Sequence, residues 1–271
     1  MKGEENMKKF ISFVSIGFII ILLIITFESF FIVSTYPSYK KIEKKRILKA
    51  TEKYNLLEGP HFSIRYKDRD KDIAKITLDI LEEHYEKVCK KLDYFTYEKI
   101  PVIIYNDGEE LLKTIRLKTD IPPLGAYYSG VINILSPFNW VEYEDNVEET
   151  YKETGPHIHE FTHFLVDEKT NGNYPMWLTE GIALYMEREL MGIDWELGKG
   201  KTKDIDIEKL NNDFNEIEID IAYRKSLEVV DNMIDNYGFN KFNLLLESLG
   251  MGNNIDSSVK KALKVNFKDI N

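Results

Sequence analysis

The chain has 271 residues, of which 46 are acidic and 36 are basic, so its formal charge is −10. A nucleic-acid-binding protein needs a positive surface to replace the counterions of the phosphate backbone, and this charge argues against that class. Hydrophobic residues make up 43% and charged residues 30%, as in globular proteins rather than disordered ones. The single cysteine, Cys89, excludes an internal disulfide framework and a cysteine-based zinc site, and we interpret it as a small buried residue on a helix.

An apolar run near the N-terminus predicts a membrane anchor. Residues 10–27 contain no charge, and the apolar character resumes after Glu28 as far as Val33. About 20 helical residues cross the hydrocarbon core, whereas a cleavable signal peptide has a shorter apolar core and a small-residue cleavage site, which is missing here. We therefore predict a tail over residues 1–9, a single-pass transmembrane anchor over residues 10–34, and a basic, partly helical linker over residues 35–56.

Two signals in the sequence conflict on which side of the membrane the rest of the chain lies. Lysines and an arginine follow the anchor, and the positive-inside rule would keep the downstream domain in the cytoplasm. The residues Met7–Phe10, directly before the apolar run, are instead typical of the start of a secretory signal. The downstream lysines also have helix-like spacing, which can place them away from the bilayer. We favour an extracytoplasmic domain.

Residues 57–271 suit one domain, in which strands come first and helices follow. Strands are predicted where polar and apolar residues alternate or where β-branched residues cluster, and a helix where apolar residues recur every three to four positions. The chain after residue 155 is predicted to be mainly helical. This order indicates an α+β fold. The earlier elements are a strand at His61–Tyr66, a helix at Asp68–Asp93, a strand at Ile100–Tyr105, a short helix at Glu109–Ile115 and a hairpin over residues 125–135.

The candidate chemistry lies in the sequence His-Glu-Phe-Thr-His, residues 159–163. On a helix, His159 and His163 lie one turn apart on the same face, where both imidazoles can bind one metal ion. Glu160 lies about 100° around the helix, where its carboxylate can contact a metal-bound water without binding the metal. The alternative is a surface helix with two solvated histidines, because composition alone produces such a motif in about 1% of chains like this one.

A third ligand is expected from the helix predicted to begin near Pro175. Glu180 lies one turn inside it among apolar neighbours, and a carboxylate is costly to bury there unless it is paired or bound to a metal. The alternative is an exposed carboxylate that the helix dipole favours. We prefer the ligand, because the turn over residues 171–173 can fold this helix back against the His159 helix. Gly181 would allow a close approach of helices.

The sequences HEFTH (residues 159–163) and WLTEGIALYMER (residues 177–188) resemble the gluzincin metallopeptidases, specifically the Peptidase MA-like group. The resemblance implies a zincin-like fold and Zn²⁺ held by three side chains. It also implies hydrolysis of a peptide or protein substrate by a zinc-activated water, with Glu160 as the general base. Thermolysin-like enzymes place an acidic residue four positions after the third ligand, where this chain has Leu184, so the sequence does not show what orients the histidines. The implied ligands are His159, His163 and Glu180.

Two further assignments complete the predicted site. Gluzincins bring a His or Tyr from a later helix to the oxyanion, and no histidine follows His163 in this chain. Tyr223, at the start of a predicted helix, is our candidate for this role, and the alternative is that it only packs the C-terminal helices. The second strand of the hairpin is predicted to be an edge strand that pairs with an extended peptide. The substrate-binding residues assigned to it are Gly130, Val131, Ile132 and Asn133.

Taken together, these features indicate a membrane-anchored, zinc-dependent metallopeptidase. The alternative from another class is a membrane-tethered binding or sensor protein that keeps the zincin fold without turnover. The presence of Glu160 favours the enzyme, because a binding protein needs no general base. An intramembrane protease is rejected, since its HExxH motif would lie within an apolar span, whereas the predicted anchor ends more than 120 residues before His159.

Overall fold

The structure is a computed structural model that describes residues 28–142, 146–194, 196 and 198–270. Its helices and strands follow the predicted α+β order. The helices are α1 (Glu28–Ala50), α2 (Lys71–Leu92), α3 (Gly108–Ile115), α4 (Val147–Thr154), α5 (His157–Thr170), α6 (Met176–Met191), α7 (Ile207–Asn212), α8 (Ile219–Gly250) and α9 (Ile255–Leu263). The strands are β1 (Asn55–Glu58), β2 (Phe62–Tyr66), β3 (Ile100–Tyr105), β4 (Gly125–Tyr128) and β5 (Val131–Leu135).

The five strands form one mixed sheet in the order β1-β2-β3-β5-β4. Strands β2, β3 and β5 are parallel, and β1 and β4 are antiparallel to their neighbours at the two edges. Every residue of β3 and β5 is buried, as expected for central strands that are covered on both faces. Strand β5 is therefore an inner strand, and the free edge beside it belongs to β4.

Helices cover both faces of the sheet, and alternate residues of β3 show this. Val102 and Ile104 join the main core, which includes apolar residues of α2, α5, α6 and α8. Ile103 and Tyr105 join a second core on the opposite face, with residues of α1 and α3. Successive side chains of a strand point to opposite faces, so one strand contributes to both cores.

The helical part of the molecule packs α6 closely against α8. A Cβ atom at Gly181 would lie 2.4 Å from the backbone oxygen of Ser226, so only glycine permits this approach. The predicted close helix contact at Gly181 is therefore present in the structure. Helix α8 is interrupted at Gly238, where φ is 77° and the backbone leaves the helical region.

Helix α1 and strand β1 occupy the range predicted to be a linker, residues 35–56. Ile47 of α1 is fully buried, and the guanidinium of Arg65 on β2 donates a hydrogen bond to the Leu48 carbonyl oxygen. The segment is thus part of the domain. Its apolar pattern is weak, and ion pairs make several of its contacts with the rest of the domain, such as Lys40 with Asp167 and Glu43 with Arg116.

The predicted membrane anchor lies largely outside the described residues. These cover residues 28–34 of it, which form the first part of α1, but not residues 10–27. Within the part of the chain that the structure describes, no helix is both long enough and apolar enough to span a bilayer.

Candidate metal centre

Two helices bring the three predicted ligands together. His159 and His163 lie one turn apart on α5, and their ring centroids are 4.6 Å apart. The Oε2 atom of Glu180, on α6, lies 3.2 Å from Nε2 of His159 and 3.6 Å from Nε2 of His163. The potential ligand atoms of these three residues all lie within 4.8 Å of one another, so they could bind one metal ion.

The other ring nitrogen of each histidine contacts a second residue of α6. Nδ1 of His159 lies 3.1 Å from Oε2 of Glu187, and Nδ1 of His163 lies 2.6 Å from the hydroxyl of Thr179. These contacts fix both rings and direct each Nε2 atom towards the centre of the site. Glu187 was not among the residues predicted from the sequence, although a residue seven positions after Glu180 lies on the same face of a helix.

In this site, neighbouring charges shift the pKa values of His159 and Glu180 in the direction opposite to the shift that burial alone would cause. Burial alone would lower the pKa of His159, but the carboxylates of Glu187 and Glu180 hold that pKa well above its usual value. Burial alone would raise the pKa of Glu180, yet His163 and His159 hold it well below its usual range. A carboxylate that stays ionised among imidazoles is suited to binding a cation.

Glu160 lies beside the ligands and faces the edge strand β4. A Cβ atom at Gly125 would lie 2.8 Å from Oε1 of Glu160, so β4 can pass this close only with glycine there. The backbone N–H of Tyr127 interacts with the same carboxylate, whereas its buried Oε2 atom has no hydrogen-bond partner among the described residues. Burial raises the pKa of Glu160 above its usual value, although His163 and His159 act to lower it.

The strand nearest to Glu160 is β4, which corrects the predicted docking strand. We assigned substrate binding to Gly130, Val131, Ile132 and Asn133. The last three lie on the inner strand β5, whose two sides are already paired with β3 and β4, and Gly130 lies in the hairpin turn. The predicted edge position was wrong, because strand order in a sheet depends on distant segments, which local apolar patterns do not show.

The hairpin geometry shows which backbone groups of β4 face away from the sheet. Ser129 and Gly130, with φ of 49° and 80°, form a two-residue turn of the type preferred in hairpins. The pair that flanks such a turn, Tyr128 with Val131, is hydrogen-bonded, and the pairing then alternates along the strand. The N–H and C=O groups of Gly125 and Tyr127 therefore point to the free edge, on the side of Glu160.

Tyr223, near the start of α8, also reaches the site. Its hydroxyl is close enough to the Glu180 carboxylate to interact with it. Burial, followed by the charges of Glu180 and Glu160, raises the pKa of Tyr223 well above its usual value, so the phenol stays protonated. In contrast, His157 is fully buried and its ring packs edge-on against Tyr151, away from the three ligands.

The donor set fits a zinc ion. Two imidazoles and one carboxylate are the protein ligands of many catalytic zinc sites, and three ligands leave a fourth position open. The unpartnered Oε2 atom of Glu160 is an acceptor next to the donor set, suited to hydrogen-bonding a water there. The residues could thus hold a metal and a water in the positions that hydrolysis needs.

Comparison with known proteins places the chain in a family. The family model described as the Peptidase MA superfamily matches residues 125–271, from the first residue of β4 to the C-terminus. No curated protein matches the sequence. The match covers more than half of the chain and includes the three candidate ligands, Glu160 and Tyr223. The chain therefore belongs to the Peptidase MA superfamily.

Proposed function

We propose that the protein is a zinc-dependent metallopeptidase of the gluzincin type. The observation that carries this proposal is the convergence of His159, His163 and Glu180 next to the Glu160 carboxylate. The family indicates a peptidase, and these side chains are the ones that the chemistry requires.

The chain's own residues supply proton transfer and substrate orientation. A zinc ion bound by the three ligands would polarise the scissile carbonyl and lower the pKa of a water. Glu160 accepts the proton of the attacking water and returns it to the leaving amine. The Tyr223 hydroxyl, which stays protonated, donates a hydrogen bond to the developing oxyanion.

The free edge of β4 is the proposed substrate-binding strand. The outward C=O groups of Gly125 and Tyr127 and the N–H of Gly125 can pair with an extended peptide, as in other complexes that add a strand to a sheet edge, while the Tyr127 N–H interacts with Glu160. Glu160 contacts the same two residues, so a peptide paired there would pass the general base.

The test combines metal analysis with a cleavage assay on the full chain. We expect about one zinc per chain and cleavage of a peptide library. Glu160→Gln should keep the zinc and lose cleavage, whereas His163→Ala and Glu180→Ala should lose the zinc as well. Full zinc content in both ligand variants would contradict the site. A metal-loaded wild-type protein that binds peptides without cleaving them would support the alternative, a zincin-fold binding protein.

We also propose that residues 10–27 anchor the protein in a membrane, with the peptidase domain on the extracytoplasmic side. The support is the sequence alone, since these 18 residues carry no charge. Fractionation of expressing cells should place the full chain with membranes, and deletion of residues 10–27 should release it. External protease should digest the domain in intact cells. Protection from that protease would contradict the proposed orientation.

A further inference from the structure

Helix α1 contacts the helical part of the molecule with its N-terminal half. A Cβ atom at Gly252, after α8, would lie 3.1 Å from the Cα atom of Phe30, and one at Gly172, after α5, would lie 2.4 Å from the ring of Tyr36. Tyr36 also donates a hydrogen bond of 2.7 Å to Asp167 of α5. The start of α1 is therefore packed against the end of the metal-binding helix α5 and against the segments that follow α5 and α8.

The middle of α1 forms an ion pair with Asp167 of α5, a residue that is fully buried. Nζ of Lys40 lies 2.7 Å from Oδ2 of Asp167 and 2.8 Å from Oε1 of Glu168. The same Oδ2 atom accepts a hydrogen bond of 2.6 Å from the hydroxyl of Tyr127, on the edge strand β4. One carboxylate thus joins α1, the metal-binding helix and the edge strand.

The C-terminal half of α1 packs on the sheet at the end of the same strand. A Cβ atom at Gly130, in the β4–β5 turn, would lie 3.4 Å from Cδ of Lys44. The hydroxyls of Tyr39 and Tyr128 are 2.9 Å apart, and Ile47 is buried in the second core. Helix α1 therefore runs from the helical part to the sheet and crosses the turn end of β4 on the way.

We infer that α1 closes the substrate cleft at this end, so that the enzyme cleaves peptides close to one terminus. The inference rests on the proposed function, because it concerns a peptide paired with the free edge of β4. Such a peptide passes Glu160 beside Gly125 and, continuing past Tyr128, meets α1.

The distance between the cleaved bond and α1 can be estimated along strand β4 and along helix α5. Gly125 and Tyr128 are three strand residues apart, or about 10 Å at about 3.3 Å per residue. Glu160 and Asp167 are seven helical residues apart, also about 10 Å at about 1.5 Å per residue. About three substrate residues fit between the cleaved bond and α1.

The inference is tested with one cleaved peptide and three derivatives of it. The parent has three residues on one side of the cleaved bond. One derivative carries five further residues at the N-terminus, and a second carries five at the C-terminus. The third derivative is a head-to-tail cycle that contains the parent sequence. We expect extension at one terminus to lower kcat/KM at least tenfold, extension at the other to leave it nearly unchanged, and the cycle to resist cleavage.

A matched pair of variants assigns the barrier to α1. Lys40→Met removes both ion pairs to α5 and should raise cleavage of the disfavoured extended peptide relative to the parent. Lys41→Met, at an exposed neighbouring position, should leave that ratio unchanged. An unchanged ratio in both variants would overturn the role of α1. Equal cleavage of the parent, both extended peptides and the cycle would overturn the inference and leave the proposed function standing. A zinc-loaded protein that cleaves no peptide of the library, so that no parent can be chosen, would overturn the proposed function itself.

Discussion

The imidazole of His159 lies between Glu187 and Glu180, two carboxylates on the same face of α6. Its Nδ1 atom is 3.1 Å from Glu187, and its Nε2 atom is 3.2 Å from Glu180. One helix therefore supplies both a proposed metal ligand and the residue that orients another ligand. Because Glu187 is buried, its charge acts strongly on the ring.

We expect Glu187→Gln to weaken zinc binding about 10- to 100-fold, the usual range for loss of a residue that orients a metal-binding histidine. The amide keeps the size of the side chain but loses the negative charge that favours a proton on Nδ1. Glu189→Gln is the control, because Glu189 is on the same helix and its side chain is 42% exposed. Competition with a chelator measures both affinities, and equal affinities in the two variants would contradict the role of Glu187.

More of the metal site than of its surroundings could be predicted from the sequence. His159, His163 and Glu180 follow from spacing on two helices, which is a local property. Leu184 stands where an acidic residue was sought, and Glu187 takes its place one turn later, because a helix returns to the same face after four and after seven residues.

The substrate strand and the role of α1 were not predictable in this way. Both strands of the hairpin were recognised, but the free edge belongs to β4, because β5 is paired with β3, a strand 26 or more residues earlier in the chain. The part of α1 from residue 35 onwards was predicted to be a linker, because its contacts to Asp167 join residues more than 120 positions apart. Long-range pairing of this kind leaves no local pattern.

The packing of α1 predicts that Ile47→Ala will destabilise the whole domain. Ile47 is fully buried between α1 and the sheet, and truncation of a buried isoleucine costs about 2–5 kcal/mol. Ile42→Ala is the control, because Ile42 is on the same helix and 66% exposed, and we expect a change within about 0.5 kcal/mol. Urea unfolding measures both free energies. Equal values would mean that α1 adds nothing to the stability of the domain.

The close contact between β4 and α5 predicts that Gly125→Ala will damage activity more than metal binding. The new methyl group would lie 2.8 Å from Oε1 of Glu160 and 2.7 Å from Cγ of Pro156, so the strand or the carboxylate must move. We expect kcat/KM to fall at least tenfold with the zinc content intact, and overpacking to cost about 1–3 kcal/mol of stability. Ala126→Ser, on the opposite face of β4, is the control. Unchanged turnover in Gly125→Ala would show that Glu160 does not need this strand position.

The thiol of Cys89 is expected to be unreactive in the folded protein. Burial raises the pKa of Cys89 to about 12, so at pH 8 only about one thiol in 10⁴ is ionised, and the thiolate is the reactive form. A thiol reagent such as Ellman's should therefore detect no cysteine in the native protein and one after unfolding in guanidinium chloride. Rapid reaction of the native protein would contradict the burial of this helix face.

Tyr223 gives the sharpest test of the chemistry, because its removal should affect turnover alone. We expect Tyr223→Phe to lower kcat about 10²-fold, as for one lost oxyanion donor, with zinc content and unfolding free energy unchanged. The pKa of Tyr223 is raised by burial and by Glu180 and Glu160, so the hydroxyl remains a donor as the pH rises. The ratio of wild-type to variant kcat should accordingly stay constant from about pH 6 to about pH 9. Tyr237→Phe, farther along α8, is the control and should keep full activity. A Tyr223→Phe enzyme with full turnover would mean that this residue only packs against the site.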